Sequence, residues 1–267
     1  MSSLISFFSR HMTALILFPC VLLAAIIIYD SAGAYNNMMR ASQDKANAEV
    51  SNEILSLVHE LQKERGYSAG FLGSKGANLR SELNQQRRAT DNAFKVINTS
   101  DKLLQLDAKF EQSVQRMFND LKQIKAHRMR IDSLDIELAN ALGYYTRING
   151  IGINLVNDAA KRSDNPKVIE NLFAIAALSH VKESAGIERA ILTNVFAGDQ
   201  FPNSLRRRHE TLLLKQQIYF DEAIQLAAPG LQQEWLQMEQ SGQFKRVAEI
   251  RNSVIEKDSG YGVTAKS

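Results

Sequence analysis

The chain has 267 residues, enough for one large domain or two small ones, and only 14 Gly and 4 Pro among abundant Leu, Ala, Ile, Gln, Glu, Lys and Arg. This is the composition of a helical protein. The net charge of +3 is too small to argue for a nucleic-acid partner, and the single cysteine, Cys20, excludes an intrachain disulfide and a multi-cysteine metal site.

After a short segment, 1–11, the sequence reads MTALILFPCVLLAAIIIY without a charge. At ~1.5 Å per residue this run is just long enough to cross a hydrocarbon core of about 30 Å. We expect a transmembrane helix over 12–30, in which Pro19 is tolerable. Arg10 and the amino terminus precede it, so the N-terminus is expected in the cytoplasm. A cleaved signal peptide is the competing reading, because Ala32-Gly33-Ala34 resembles a cleavage site. The length of the run and the prompt return of helical periodicity favour an anchor. On either reading, the chain beyond Tyr35 is expected to be exported.

Helical periodicity continues to the C-terminus, and the pattern gives no strand. A first long helix is predicted over 35–71, ending at Gly73-Ser74-Lys75-Gly76, and a second over 78–98. Asn98-Thr99-Ser100-Asp101 offers a break and an N-cap for a third helix over 101–127. Asp132-Ser133-Leu134-Asp135 opens a fourth that reaches Arg162, and Ser163-Asp164-Asn165-Pro166 is a stop and restart. A fifth helix runs to Phe196, a sixth covers 203–227, and one or two shorter helices come after it, broken near Gly242. Residues 258–267 read as a frayed polar tail. Long helices with short loops imply antiparallel neighbours. The expected fold is all-α, an N-terminal transmembrane helix followed by up-down bundles, two four-helix bundles sharing long helices, with the bundle domain over 35–257.

One seam breaks its own rule. Ile54, Val58 and Leu61 step along one helix face, and the next positions in that row are Arg65 and Ser68. Arg65 is flanked by Gly66 and Ala69, and Arg189 by Ala185 and Gly186, so each large cation stands among small residues. Glu64-Arg65 and Glu188-Arg189 occupy comparable places in a faint internal repeat. Arg251 lies among Phe244, Val247, Val254 and Ile255, and Arg87 and Arg88 are within helical reach of Asp91. Residue chemistry alone favours pairing of such arginines with carboxylates of neighbouring helices. The alternative is a small anion, because a guanidinium fork matches a planar oxyanion. Arg206-Arg207-Arg208 offers two readings, a phosphate site or a solvated face, and the solvated face is favoured.

The stretch from Leu61 through Glu64-Arg65-Gly66 to Leu72 resembles the opening motif of the nitrate- and nitrite-sensing (NIT) family. Leu83 through Gln86-Arg87 to Thr90-Asp91 is similar to its continuation. Tyr145-Thr146, Lys182 to Ala190 around Glu188-Arg189, and Gln216 to Tyr219 are similar to the second half. The resemblance covers about 53–263. It implies two four-helix bundles serving as the input domain of bacterial chemoreceptors, sensor kinases, cyclases and antiterminators. It carries ligand-binding roles onto Arg65, Arg189 and Arg87, with Arg88 as a substitute for Arg87, and onto Arg251 by the weakest alignment. Ser68 would give the anion space or a hydrogen bond.

The expectation is therefore a single-pass protein of a bacterial inner membrane, its main domain periplasmic. It would bind nitrate or nitrite through arginines on different helices and signal by helix rearrangement. A homodimer is expected by analogy with membrane receptors. Such receptors continue into a second membrane helix and a signalling module, whereas this sequence ends at Ser267. It is expected to be a truncated receptor or a tethered sensor with a separate signalling protein. The alternative is a membrane-tethered structural or adaptor bundle without a small-molecule ligand. An enzyme is disfavoured: the five histidines are dispersed and no phosphate loop, nucleophile motif or dinucleotide fingerprint occurs. No metal or other cofactor is implied.

Overall fold

The computed structural model describes residues 2–255, with side chains described from residue 22 onward except at 197, 198, 239 and 255. The predicted tail, 258–267, lies outside the described residues. The helices are α1 (Ser2–Gly73), α2 (Arg80–Asn98), α3 (Ala108–Leu121), α4 (Ile124–Asp132), α5 (Leu138–Ala160), α6 (Pro166–Gly198), α7 (Asn203–Leu226), α8 (Pro229–Glu239) and α9 (Gly242–Ile255), with a 3-10 turn at Asp101–Gln105. There is no β-strand among the described residues.

Two compact units are present, residues 1–45 and 46–267. In the first, the apolar side chains of Leu22, Leu23, Ile26, Ile27, Ile28 and Tyr29 are all exposed. Residues 12–21 of the predicted span lie outside those with described side chains. Among the described residues no helix is long and apolar enough to cross a membrane. The predicted helix start at Tyr35 is not seen, because α1 is helical on both sides of it.

In the second unit the helix ends obey local chemistry. α1 stops in a Schellman turn: Gly76 N–H donates to Phe71 O at 2.9 Å and Lys75 N–H to Leu72 O at 3.0 Å. Lys75 and Gly76 take the left-handed φ values of 52° and 82°. The single helix predicted over 101–127 is three pieces. The cap is Asp107 instead of the Asn98–Asp101 cluster, and its carboxylate accepts from Lys109 N at 3.0 Å and Phe110 N at 3.1 Å. Lys122 and Gln123 then donate to carbonyls three residues back, which tightens the chain between α3 and α4. The predicted helix opening at Asp132–Asp135 is instead the end of α4. Leu134 is left-handed there, with φ 57°, and Asp135 N–H reaches back to Arg130 O at 2.9 Å. α6 starts within the predicted stop and restart, where Asn165 caps it, accepting from Lys167 N at 3.1 Å beside Pro166.

Two hydrophobic clusters organise this unit. The larger joins α1, α2, α3, α4, α5 and the first turns of α6 around Ile54, Leu57, Leu61, Phe110, Phe118, Tyr145 and Ile148. The smaller joins the last turns of α6 to α7 and α9 around Val195, Phe201, Leu212 and Val254. α5 meets α1 closely at Gly152, where a Cβ would stand 2.5 Å from Val58 Cγ2. The middle of α6 therefore lies between two cores, and Arg189 lies where the smaller one begins.

Candidate functional site

Each Glu-Arg pair sends its two side chains to different places, as adjacent residues on a helix must. Glu64 is 0 % exposed. Arg128 of α4 grips it with both arms, Nε to Oε1 and Nη2 to Oε2, each at 2.8 Å. The Tyr145 hydroxyl donates to Oε1 at 2.8 Å. Burial and the neighbouring Glu64 carboxylate push the Tyr145 phenol up, which keeps it a donor. Glu188 is held the same way by Arg251 of α9, Nε to Oε1 at 2.7 Å and Nη2 to Oε2 at 2.6 Å. Gln216 donates to it at 2.8 Å, and His209 Nε2 lies 3.2 Å away. Burial alone would raise the Glu188 carboxyl, but the bonds from His209, Arg251 and Gln216 outweigh it and hold the group at about 2. The faint sequence repeat is thus a repeated device, a buried glutamate clamped by an arginine from a later helix.

The second residue of each pair faces the other helix. Arg65 is 6 % exposed. Its Nη1 donates to the Thr146 hydroxyl at 2.8 Å and to the buried Glu183 carboxylate. Glu183 also accepts from Gln62 at 2.9 Å and Asn149 at 3.2 Å. The Nη2 of Arg65 lies so near Gly186 that a Cβ there would stand 2.9 Å from it. On α6, Arg189 Nη2 lies 3.6 Å from where a Gly66 Cβ would be. Each guanidinium thus lies over a glycine of the opposite helix. Among the described residues the Arg189 guanidinium has no hydrogen-bond or ion-pair partner, and its residue is exposed. The carboxylate that neutralises Arg65 stands six positions before Arg189. Six positions before Arg65 stands His59. Lys182 Nζ donates to His59 Nδ1 at 2.6 Å, and burial, then Lys182, lowers the imidazole below its ordinary value, which favours the neutral ring.

Arg65, Arg189 and Arg251 line one cavity of about 660 Å³ between α1, α6 and α9. Lys63 and Lys182 add two more cations to its wall, and among the described residues Glu188 is the one acid lining it. Burial lowers the Lys182 ammonium. Leu192, Phe196, Val247 and Ile250 form an apolar side.

The other predicted residues stand elsewhere. Arg87 does not reach Asp91: both oxygens of Asp132 lie 2.9 Å from its Nη1. Asp91 accepts instead from Arg128 at 2.7 Å. Arg88 is exposed. Ser68 is fully buried, beside the Tyr145 hydroxyl. Neither these three nor Asp91 lines the cavity. Sequence reading missed Arg128, although Ile124, Arg128 and Ile131 repeat the signal seen at Arg65, an arginine in an apolar row. It also missed Glu183 as the partner of Arg65, since nothing in a sequence pairs residues on two helices. Among the described residues no group of His, Cys, Asp and Glu is placed to hold a metal.

Comparison with known proteins gives three results. Residues 56–267 match the family described as nitrate and nitrite sensing. The nitrate regulatory protein of Klebsiella oxytoca is 28% identical over 191 residues, which is 67% of this chain and 46% of that protein. The solved NasR transcription antiterminator has the same fold, with a TM-score of 0.76 and 22% identity over 88% of this chain and 64% of that one. The chain thus spans about half the length of the curated relative it matches.

Proposed function

The chain belongs to the nitrate- and nitrite-sensing family, and we propose that it senses these anions by holding one between Arg189 and Arg65, with Arg251 close by, in the cavity between α1, α6 and α9. The observation that carries this reading is the Arg189 guanidinium, unpartnered among the described residues and facing Gly66 of the opposite helix. A guanidinium offers a planar donor fork, and nitrate and nitrite are planar acceptors. Glycine at 66 and 186 gives the two forks room. Binding would draw Arg65 from Glu183 and bring α1 and α6 to a new balance, which is signalling by differential affinity for two helix arrangements.

The wider setting is also a proposal. The described helices pack as two bundles sharing α1 and α6. The uncharged run over 12–29 anchors the chain in a bacterial inner membrane, N-terminus cytoplasmic and bundle periplasmic; the exposed apolar side chains from Leu22 to Tyr29 support this. The chain acts as a homodimer and passes its state to a separate signalling protein. Its net charge of +3 gives little pull on nucleic acid, and no such partner is proposed for these residues. Treating membranes with alkaline carbonate tests the anchor: the chain stays in the pellet if it spans the bilayer and is released if it does not.

A structural reading has its own support, since Arg65, Arg87 and Arg251 each already pair with a carboxylate. Thermal unfolding of the full chain in nitrate, nitrite and chloride separates the two. A ligand bound only by the folded state adds ~2.7 kcal/mol at a hundredfold excess over its dissociation constant. The sensor predicts a rise in melting temperature with nitrate or nitrite that chloride does not reproduce and that Arg189→Ala abolishes. Equal responses to all three salts would leave the arginines as structural parts only.

A further inference from the structure

We propose that the same cavity also accepts an organic monocarboxylate with a short apolar tail, its carboxylate on Arg189 and Arg65 and its tail against α6 and α9. This rests on the reading of those two arginines as an anion site. The first observation is size. The cavity measures about 660 Å³, room for about twenty waters at ~30 Å³ each, and a nitrate ion fills only a small part of that.

The second observation is how the lining divides. Leu192, Thr193 and Phe196 come after Arg189 on the same face of α6 and line the cavity with it. At ~1.5 Å per residue, Phe196 stands ~10 Å beyond Arg189 along the helix. The one hydroxyl in that row, on Thr193, is turned back to the Arg189 carbonyl at 2.8 Å and offers the cavity wall no free donor. Val247 and Ile250 of α9 supply the facing wall. Val247 remains 44% exposed although the smaller core lies directly beneath this wall. The cavity is thus cationic at one end and apolar along its length, and an apolar tail laid there would be driven by the area it removes from water.

The lining selects a monoanion by its division rather than by its net charge, since Lys182 is a further cation of the wall without a carboxylate partner among the described residues. Arg65 and Arg251 are already offset by Glu183 and Glu188, so Arg189 is the uncompensated guanidinium among the described residues lining the cavity. A second carboxylate would have to sit against the apolar wall without a partner, which is costly.

Calorimetric titration of the full chain with hexanoate, acetate and nitrate tests the proposal. Hexanoate should bind at least tenfold tighter than acetate, compete with nitrate, and lose binding in Arg189→Ala. A variant carrying Phe196→Ser and Val247→Ser should weaken hexanoate severalfold while leaving nitrate affinity unchanged, which also shows that it folds. Hexanoate binding no tighter than acetate, or binding indifferent to Arg189, overturns the organic ligand. If nitrate binds and hexanoate does not, the nitrate site stands and this inference falls. If hexanoate binds through Arg189 and nitrate does not, this inference stands and the nitrate reading falls.

Discussion

Arg65 and Arg189 each stand next to a glutamate, and each lies over a glycine of the opposite helix, yet among the described residues only Arg65 meets a carboxylate. This difference separates structural arginines from the one proposed to await a ligand, and mutation should show it. Removing Arg128 strands the fully buried Glu64 carboxylate, and losing one partner of a buried pair costs about 3–5 kcal/mol. Removing Arg189, which is exposed, should change stability by no more than about 0.5 kcal/mol. Urea unfolding of Arg128→Ala and Arg189→Ala checks both, and a large loss in Arg189→Ala would mean that it holds the helices together. At this scale the site is partly legible in the sequence. An arginine replacing a hydrophobe in a periodic row marks Arg65, and the paired motif marks Arg189. The same rule applied to Ile124, Arg128 and Ile131 finds the clamp on Glu64. Arg87 does not group with the site, because Asp132 satisfies it through tertiary contact.

Helix ends divide into those written locally and those imposed by neighbours. Asn165-Pro166 and Pro229-Gly230 punctuate the chain with residues whose backbone preferences are strong, and the structure breaks there. The turn at Leu134 carries no such signal, since a leucine in the left-handed region is unfavourable alone; the sequence pattern therefore predicts a helix start where α4 ends. Packing leaves a comparable mark at Gly152. Alanine favours a free helix by about 0.5–1 kcal/mol over glycine, but a Cβ at 152 would stand 2.5 Å from the branched Val58. Overpacking of this kind costs about 1–3 kcal/mol. Gly152→Ala should lower the melting temperature in spite of its better helix propensity, and a rise would show that α1 and α5 separate easily. Asp107→Ala should cost about 1 kcal/mol by uncapping α3.

At the scale of the whole molecule, pH acts through groups that folding buries, and two of them, His59 and Glu188, also line the cavity. His59, His127 and His180 all sit below their ordinary value of 6.5, burial being the first cause for each. Glu188 sits at about 2, below its ordinary 4.5. In both cases the unfolded chain binds more protons than the folded one through the window between the two values. Stability from the histidines is therefore complete above about 6.5 and is lost as pH falls through their lower folded values. Stability from Glu188 is complete above about 4.5 and is lost toward about 2. Melting temperatures measured from pH 8 downward should hold level and then fall below about 6.5; a rise on acidification would contradict the neutral histidines.

The central claim is that Arg189, without a hydrogen-bond or ion-pair partner among the described residues, is left for an anion, with His59 in place of a carboxylate at the α1 position that matches Glu183 on α6. Titration of the full chain with nitrate, in the native form and in Arg189→Ala and His59→Glu, tests this most directly. The account predicts saturable binding that weakens at least tenfold in both variants, one losing the cation and the other gaining a carboxylate to neutralise it. Nitrate binding of native strength in Arg189→Ala would place the ligand elsewhere and leave this arginine without the role assigned to it.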